Sequence, residues 1–148
     1  MSHNKIKQIA LVAHDNMKKD LIEWVEFNKG TLKAYEILST GTTGALIEEK
    51  VGIKTTKLKS GPLGGDQQLG AKIANGEIDF LIFFWDPLSV MPHDVDVKSL
   101  LRLAVVYNIP VACNRATADF IISSSLMDSK YERRLPHFDE YLSRKIEV

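Results

Sequence analysis

Residues 78–104 read IDFLIFFWDPLSVMPHDVDVKSLLRLA, and one strand–loop–helix unit can be read along them. Phe80–Phe84 is an unbroken apolar run, the pattern of a strand buried on both faces of a parallel sheet. Trp85-Asp86-Pro87 ends that run with a turn. His93-Asp94-Val95-Asp96 follows, and from Asp96 to Asn108 the apolar residues Val97, Leu100, Leu101, Ala104 and Val105 recur at helical spacing, with Pro110 just beyond as a stop.

The same grammar repeats on both sides. Strands are expected at Ile9–Ala13, Tyr35–Leu38, more weakly near Ile53–Leu58, and at Pro110–Cys113. Helices are expected at Asn16–Asn28 with Gly30 as stop, and at Gly44–Lys50 closed by Gly52. Further helices are expected at Gln67–Asn75 and from Thr117 to about Ser123, with a last one within Phe138–Ile146. Strand and helix alternate throughout. That order specifies an α/β fold: a doubly wound, mainly parallel five-stranded sheet with helices on both faces, a three-layer arrangement of flavodoxin or Rossmann type. The length of 148 residues fits one domain, with a core over about 6–124 and a charged tail over 125–148.

Composition narrows the function. Lys plus Arg is 19 and Asp plus Glu is 19, so no global field draws the chain to nucleic acid or to an anionic membrane. The longest apolar run, Phe80–Trp85, is far short of a membrane span, and the opening MSHNKIKQIALVAHDN is interrupted too soon for an export signal. A cytoplasmic protein is the expectation. Cys113 is the single cysteine, which excludes an internal disulfide; in an apolar strand it reads as a small hydrophobe.

Open α/β sheets bind ligands at the carboxyl ends of their strands, and the polar, glycine-rich segments of this chain fall there. Thr40-Gly41-Thr42-Thr43-Gly44 joins a strand to a helix; it is either a phosphate cradle of backbone N–H groups and hydroxyls or a turn with a Thr cap. Ser60-Gly61-Pro62-Leu63-Gly64-Gly65-Asp66 is a second such loop, in which Ser60 and the Gly61 N–H can donate to the same phosphate. Asp66 stands either as a helix N-cap or as a general base. A helix N-terminus would favour its ionised form and lower its basicity. His14 and Lys18 share a face, and a Lys at the positive end of a helix suits a nearby anion. His93 is a catalytic candidate or a solvent-facing loop residue; Asp94 or Asp96 can cap the following helix. Asp86 can orient a substrate hydroxyl or a histidine, or simply start the turn with Pro87. His3 and His137 look idle, and no metal site is expected from the spacing of the His and Asp residues. Two phosphate loops, a Lys, two His and several Asp at one sheet edge, with no nucleophilic triad, point to acid–base chemistry on a small phosphorylated substrate.

At these residues the chain resembles the methylglyoxal synthase family. The resemblance rests on IALVAHDNMK (9–18), STGTTG (39–44), SGPLGGDQQLGAKI (60–73), residues 78–104 and NIPVACNRATADFII (108–122). It implies a cofactor-free lyase that converts dihydroxyacetone phosphate to methylglyoxal and inorganic phosphate. By that resemblance Asp66 removes the C3 proton and His93 serves the enediolate oxygens. His14, Lys18, Thr40, Gly41, Thr42, Thr43, Ser60 and Gly61 then bind substrate, chiefly its phosphate, with Asp15, Asp86 and Asp96 in support. The resemblance also implies a homo-oligomer, commonly a hexamer, that inorganic phosphate inhibits. Two other readings stay open: a non-enzymatic effector-binding domain of the same fold, and another sugar-phosphate lyase or isomerase that uses the same enediolate.

Overall fold

The structure, a computed structural model, describes residues 6–128 and 130–148. Strands β1 (Gln8–Ala13), β2 (Glu36–Thr40), β3 (Thr55–Leu58), β4 (Phe80–Phe84) and β5 (Val111–Ala112) form one sheet in the order β3-β2-β1-β4-β5. All four pairings are parallel. The five strands stand where the apolar runs placed them, and β4 has the expected bounds. Alternation along the two central strands feeds two cores. Ile9, Leu11, Ile82 and Phe84 face one, and Ala10, Val12, Leu81 and Phe83 the other.

Each core is closed by helices. On the first face lie α1 (Lys18–Phe27), α2 (Lys29–Leu32), α3 (Gly41–Val51) and α6 (Arg115–Ile122), which contribute Leu21, Trp24, Leu32, Ile47 and Ala118. On the second lie α4 (Gly65–Ala74) and α5 (Asp94–Val106), which contribute Leu69, Ile73, Val97, Leu100 and Ala104. The chain is therefore doubly wound. The strand order reverses at β1, whose neighbours are β2 and β4, and this leaves a crevice at the carboxyl ends of β1 and β4.

Several boundaries differ from expectation for local reasons. The stretch 16–28 divides into a 3₁₀ turn, Asp15–Met17, and α1. Gly30 is not the stop: it lies inside α2, and Asn28 ends α1 by turning its Nδ2 back to the Trp24 carbonyl at 2.8 Å. Helices α3, α4, α5 and α6 each begin two or three residues before their expected starts at Gly44, Gln67, Asp96 and Thr117, because their opening residues lie outside the apolar stripe that packs into a core. Asp66 is therefore not the N-cap of α4; Gly64 holds that place with φ of 105°, and Asp66 sits inside the first turn. Gly52 closes α3 as expected, with φ of 79° and its N–H on the Ile47 and Glu48 carbonyls. Among the described residues of the tail only α7 (Asp139–Leu142) is helical. Residues 133–138 pack at the other end of the sheet from the crevice: Arg133 pairs with Asp79 at 3.2 Å, and the Phe138 ring meets Tyr107 edge-on at 5.6 Å.

Gly65 is where the second loop passes closest to its own start. A Cβ there would lie 1.9 Å from the Lys59 carbonyl oxygen and 2.8 Å from its carbon. Both obstacles are backbone, so no side chain can yield. Gly65→Ala is expected to destabilise the fold by about 3 kcal/mol, read as a lowered Tm in thermal unfolding.

Candidate active site

The crevice holds a cavity of about 390 Å³. Each strand end contributes to it. His14 follows β1 and continues the sheet by donating its backbone N–H to the Phe84 carbonyl at 3.2 Å. Thr40 ends β2, and Thr42 and Thr43 sit in the first turn of α3. Ser60 and Gly61 open a 3₁₀ turn (Gly61–Leu63) after β3, Asp66 comes from α4, and His93 is the N-cap of α5. Lys18, the first residue of α1, also lines the cavity.

Three helices point uncapped N-termini towards this region. Thr40, Gly64 and His93 make no side-chain cap to α3, α4 or α5. By contrast α6 is capped, since Asn114 Oδ1 accepts from the Thr117 N–H at 2.9 Å. Unpaired N–H groups at helix starts are donors for an anion. Gly41 lets two of the loops meet: a Cβ on it would approach the Leu58 carbonyl oxygen and the Ser60 nitrogen to 3.2 Å. Gly41 itself is not among the residues that line the cavity.

The titratable core is compact and buried. Asp66 is 2% exposed, His14 5% and His93 9%. His93 Nε2 lies 3.6 Å from Asp66 Oδ2, and the rings of His14 and His93 meet edge-on at 5.5 Å. Gly61 must be glycine for this arrangement, because a Cβ would stand 2.8 Å from His93 Nε2 and 3.2 Å from Asp66 Oδ2. Both Asp66 oxygens, His93 Nδ1 and His14 Nε2 are buried without a hydrogen-bond partner. Orphaned buried polar atoms are rare in folded proteins, and here they converge on one cavity.

Burial pushes the Asp66 carboxyl above its ordinary value, opposed by His93 and assisted by the charge of Asp96. The helix N-terminus had pointed to the opposite shift; the rise comes from taking the carboxylate out of water. Burial also lowers His14, with His93 as the next cause. His14 Nδ1 accepts the Asp86 backbone N–H at 3.0 Å, so the proton of the neutral ring is on Nε2.

The supporting acids occupy three different places. Asp15 is at the exposed rim, where its carboxylate pairs with the Lys18 ammonium, and this holds its carboxyl below the usual range. Asp86 is outside the cavity; its carboxylate accepts from Asn16 and from the Leu88 N–H. Asp96 lines a second cavity of about 240 Å³ between α4 and α5, with Asp66 between the two cavities. Phe83, Met91 and Pro92 line the main cavity and carried no sequence signal beyond their place in a strand or a loop. His137 lies in the tail away from it, and His3 is outside the described residues. Among the described residues no group of three or more His, Cys, Asp or Glu side chains could hold a metal, and no helix is long and apolar enough to cross a membrane.

A parallel α/β sheet whose strand-end cavity joins uncapped helix starts to a buried carboxylate–imidazole pair defines a protein for acid–base chemistry on a small anion. Comparison with known proteins narrows the class. A family model described as the MGS-like domain matches residues 20–113. The chain is 57% identical over 141 residues to the methylglyoxal synthase of Coxiella burnetii (strain RSA 493 / Nine Mile phase I), covering 95% of this chain and 99% of that one. It is 56% identical over 139 residues to that of Saccharophagus degradans, covering 94% and 90%. The crystal structure of methylglyoxal synthase from Elizabethkingia anophelis NUHP1 superposes with a TM-score of 0.91 at 54% identity, over 96% of this chain and 93% of that one. The chain belongs to the methylglyoxal synthase family.

Proposed function

We propose that this cavity converts dihydroxyacetone phosphate to methylglyoxal and inorganic phosphate. The observation that carries the reading is the buried, unpartnered Asp66 carboxylate facing His93 beside two anion-binding loops. Family membership supports the reaction, and the placement of the side chains supports the roles that follow.

The phosphate is held by Lys18, by Thr40, Thr42 and Thr43, and by Ser60 with the Gly61 N–H. Asp66 takes the C3 proton, and the C–H electron pair becomes the C2–C3 π bond of an enediolate. His93, and His14 through its Nε2–H, donate to the oxygens on which charge develops. The C1–O bond then breaks, its electron pair leaves with the phosphate, and the proton held by Asp66 ends on that phosphate. The enol left behind becomes methylglyoxal. Elimination requires the C–O bond to stand perpendicular to the enediolate plane; held in the plane, the same intermediate isomerises instead. Donors that approach from separate strand ends fix that torsion as well as the charge.

Asp96 tunes Asp66 by its charge, Asp15 screens Lys18 at the rim, and Asp86 orients His14. The same reading carries inorganic phosphate as an inhibitor and a homohexameric, cytoplasmic enzyme. Support for self-association comes from Leu88 and Val90, each 94% exposed on the loop before α5.

The test is product analysis after mixing the protein with dihydroxyacetone phosphate. Trapped methylglyoxal and released phosphate are expected in equal amounts. Glyceraldehyde phosphate instead would overturn the torsion argument, and bound phosphate esters with no product would favour an effector-binding domain. A second expectation concerns pH. The base must be ionised, and its carboxyl is raised, so the acid limb of kcat/KM is expected above the ordinary carboxylate range. A limb at or below that range would remove Asp66 from the role.

A further inference from the structure

Asn16 lies outside every motif role above, yet it holds the loop that faces His14. Its Nδ2 donates to Asp86 Oδ2 at 2.9 Å and to Ser89 Oγ at 3.3 Å. Asp86 Oδ1 accepts the Leu88 N–H at 3.0 Å. The Ser89 side chain bonds the Asp86 carboxylate as well, so with Asn16 and the Leu88 N–H it is engaged away from the histidine, and the Asp86 backbone N–H is left to meet His14 Nδ1. The pattern inverts the common pairing of a carboxylate with an imidazole. A carboxylate at Nδ1 would draw a proton there and favour the imidazolium; an amide N–H refuses one.

We propose that Asn16 is a positioning residue, which by holding Asp86 and Ser89 keeps an amide rather than a carboxylate against His14 and so preserves His14 as a neutral Nε2–H donor aimed into the cavity. The proposal rests on the lyase reading for its chemical purpose. An enediolate expels phosphate only while it keeps its negative charge. A neutral donor stabilises that charge without surrendering its proton, whereas an imidazolium would protonate the oxygen and stall elimination. The remaining charges around His14 are His93 and Asp94 at the start of α5, Asp86 after β4, Lys18 at the start of α1 and Asp15 in the 3₁₀ turn before it. Of these, His93 and Lys18 act with burial against protonation, while Asp94 and Asp86 oppose them.

Histidine-selective ¹⁵N labelling of the full chain reads the tautomer directly, without turnover. In the wild type His14 is expected as Nε2–H, neutral throughout the neutral pH range. In Asn16→Ala its titration midpoint is expected to rise and the Nδ1–H form to appear. kcat/KM should fall about tenfold, the scale of losing a partner that orients a catalytic group. The loss should lie in kcat, with the dissociation constant of inorganic phosphate nearly unchanged. Asn16→Gln, which retains the amide, is expected to restore part of the rate and the wild-type tautomer; Asn16→Asp, which keeps the shape but loses the donor to Asp86, is expected to change the histidine signals as Asn16→Ala does and serves in its place should that variant fail to fold. A protonated or Nδ1–H His14 in the wild type would overturn the proposal. So would an Asn16→Ala protein with unchanged histidine signals and unchanged rate. Wild-type protein that makes no methylglyoxal would instead overturn the lyase reading, and the labelling result would still stand or fall by itself.

Discussion

Asp66→Asn is expected to lower methylglyoxal formation about 10⁴-fold, at the upper end of what a general base contributes, and to raise the Tm in the same protein. Both effects come from one environment. The carboxylate is 2% exposed, has no hydrogen-bond partner, and is raised by burial. The folded value above the unfolded one means that ionising Asp66 costs stability. That cost is absent at pH below the unfolded carboxylate value, grows as pH rises to the folded value, and is complete above it. Asparagine of nearly the same shape removes it. The stability difference between variant and wild type should therefore be near zero in acid and largest at neutral pH. Each kcal/mol recovered raises the Tm by roughly 2–4 °C in a chain of this size. Thermal unfolding across pH, paired with a methylglyoxal trap, checks both halves. Near-normal turnover would remove Asp66 as the base, and a lower Tm at neutral pH would contradict the burial argument.

His93→Gln is expected to cost about 10²–10³-fold in kcat, the usual effect of deleting one donor to a developing oxyanion. A second effect separates it from a merely structural loss. His93 stands 3.6 Å from Asp66 and opposes the burial that raises the Asp66 carboxyl. With the imidazole gone, Asp66 is left with burial and the charge of Asp96, so the acid limb of kcat/KM should move to higher pH. Binding of inorganic phosphate should change little, because Lys18, the threonines, Ser60 and Gly61 come from other elements. A pH–rate profile and a phosphate titration of the variant decide the matter. An unshifted limb with a normal rate would reduce His93 to a bystander.

These expectations show how far the one-dimensional pattern reaches. The apolar runs at 9–13 and 80–84 read as strands buried on both faces, and their alternation with stretches of helical spacing argued for a doubly wound sheet. Gly52 announced the end of α3 because only a residue tolerant of positive φ ends a helix that way. The polar segments after the strands were legible because the strand-end rule needs only strand positions, not strand order. Helix starts were less legible. At Asp66 the usual cap signature was present, but the opening turn faces the cavity, where packing and not capping sets the boundary.

Strand order, and with it the crevice beside β1, was left to tertiary structure, because it depends on which crossover buries more apolar surface on each face. Three features of the site belong there as well. The sign of the Asp66 shift follows from burial beneath Gly61 and His93, which sequence spacing does not report. The division of the acids among rim, cavity wall and supporting loop follows from side-chain reach. The Asn16–Asp86–His14 arrangement joins residues about seventy positions apart through a backbone amide, a donor that every residue but proline carries and that leaves no mark in the order of side chains. Sequence determined the elements and the chemistry available at their ends; only the packed structure decided which atoms meet, and in which protonation state.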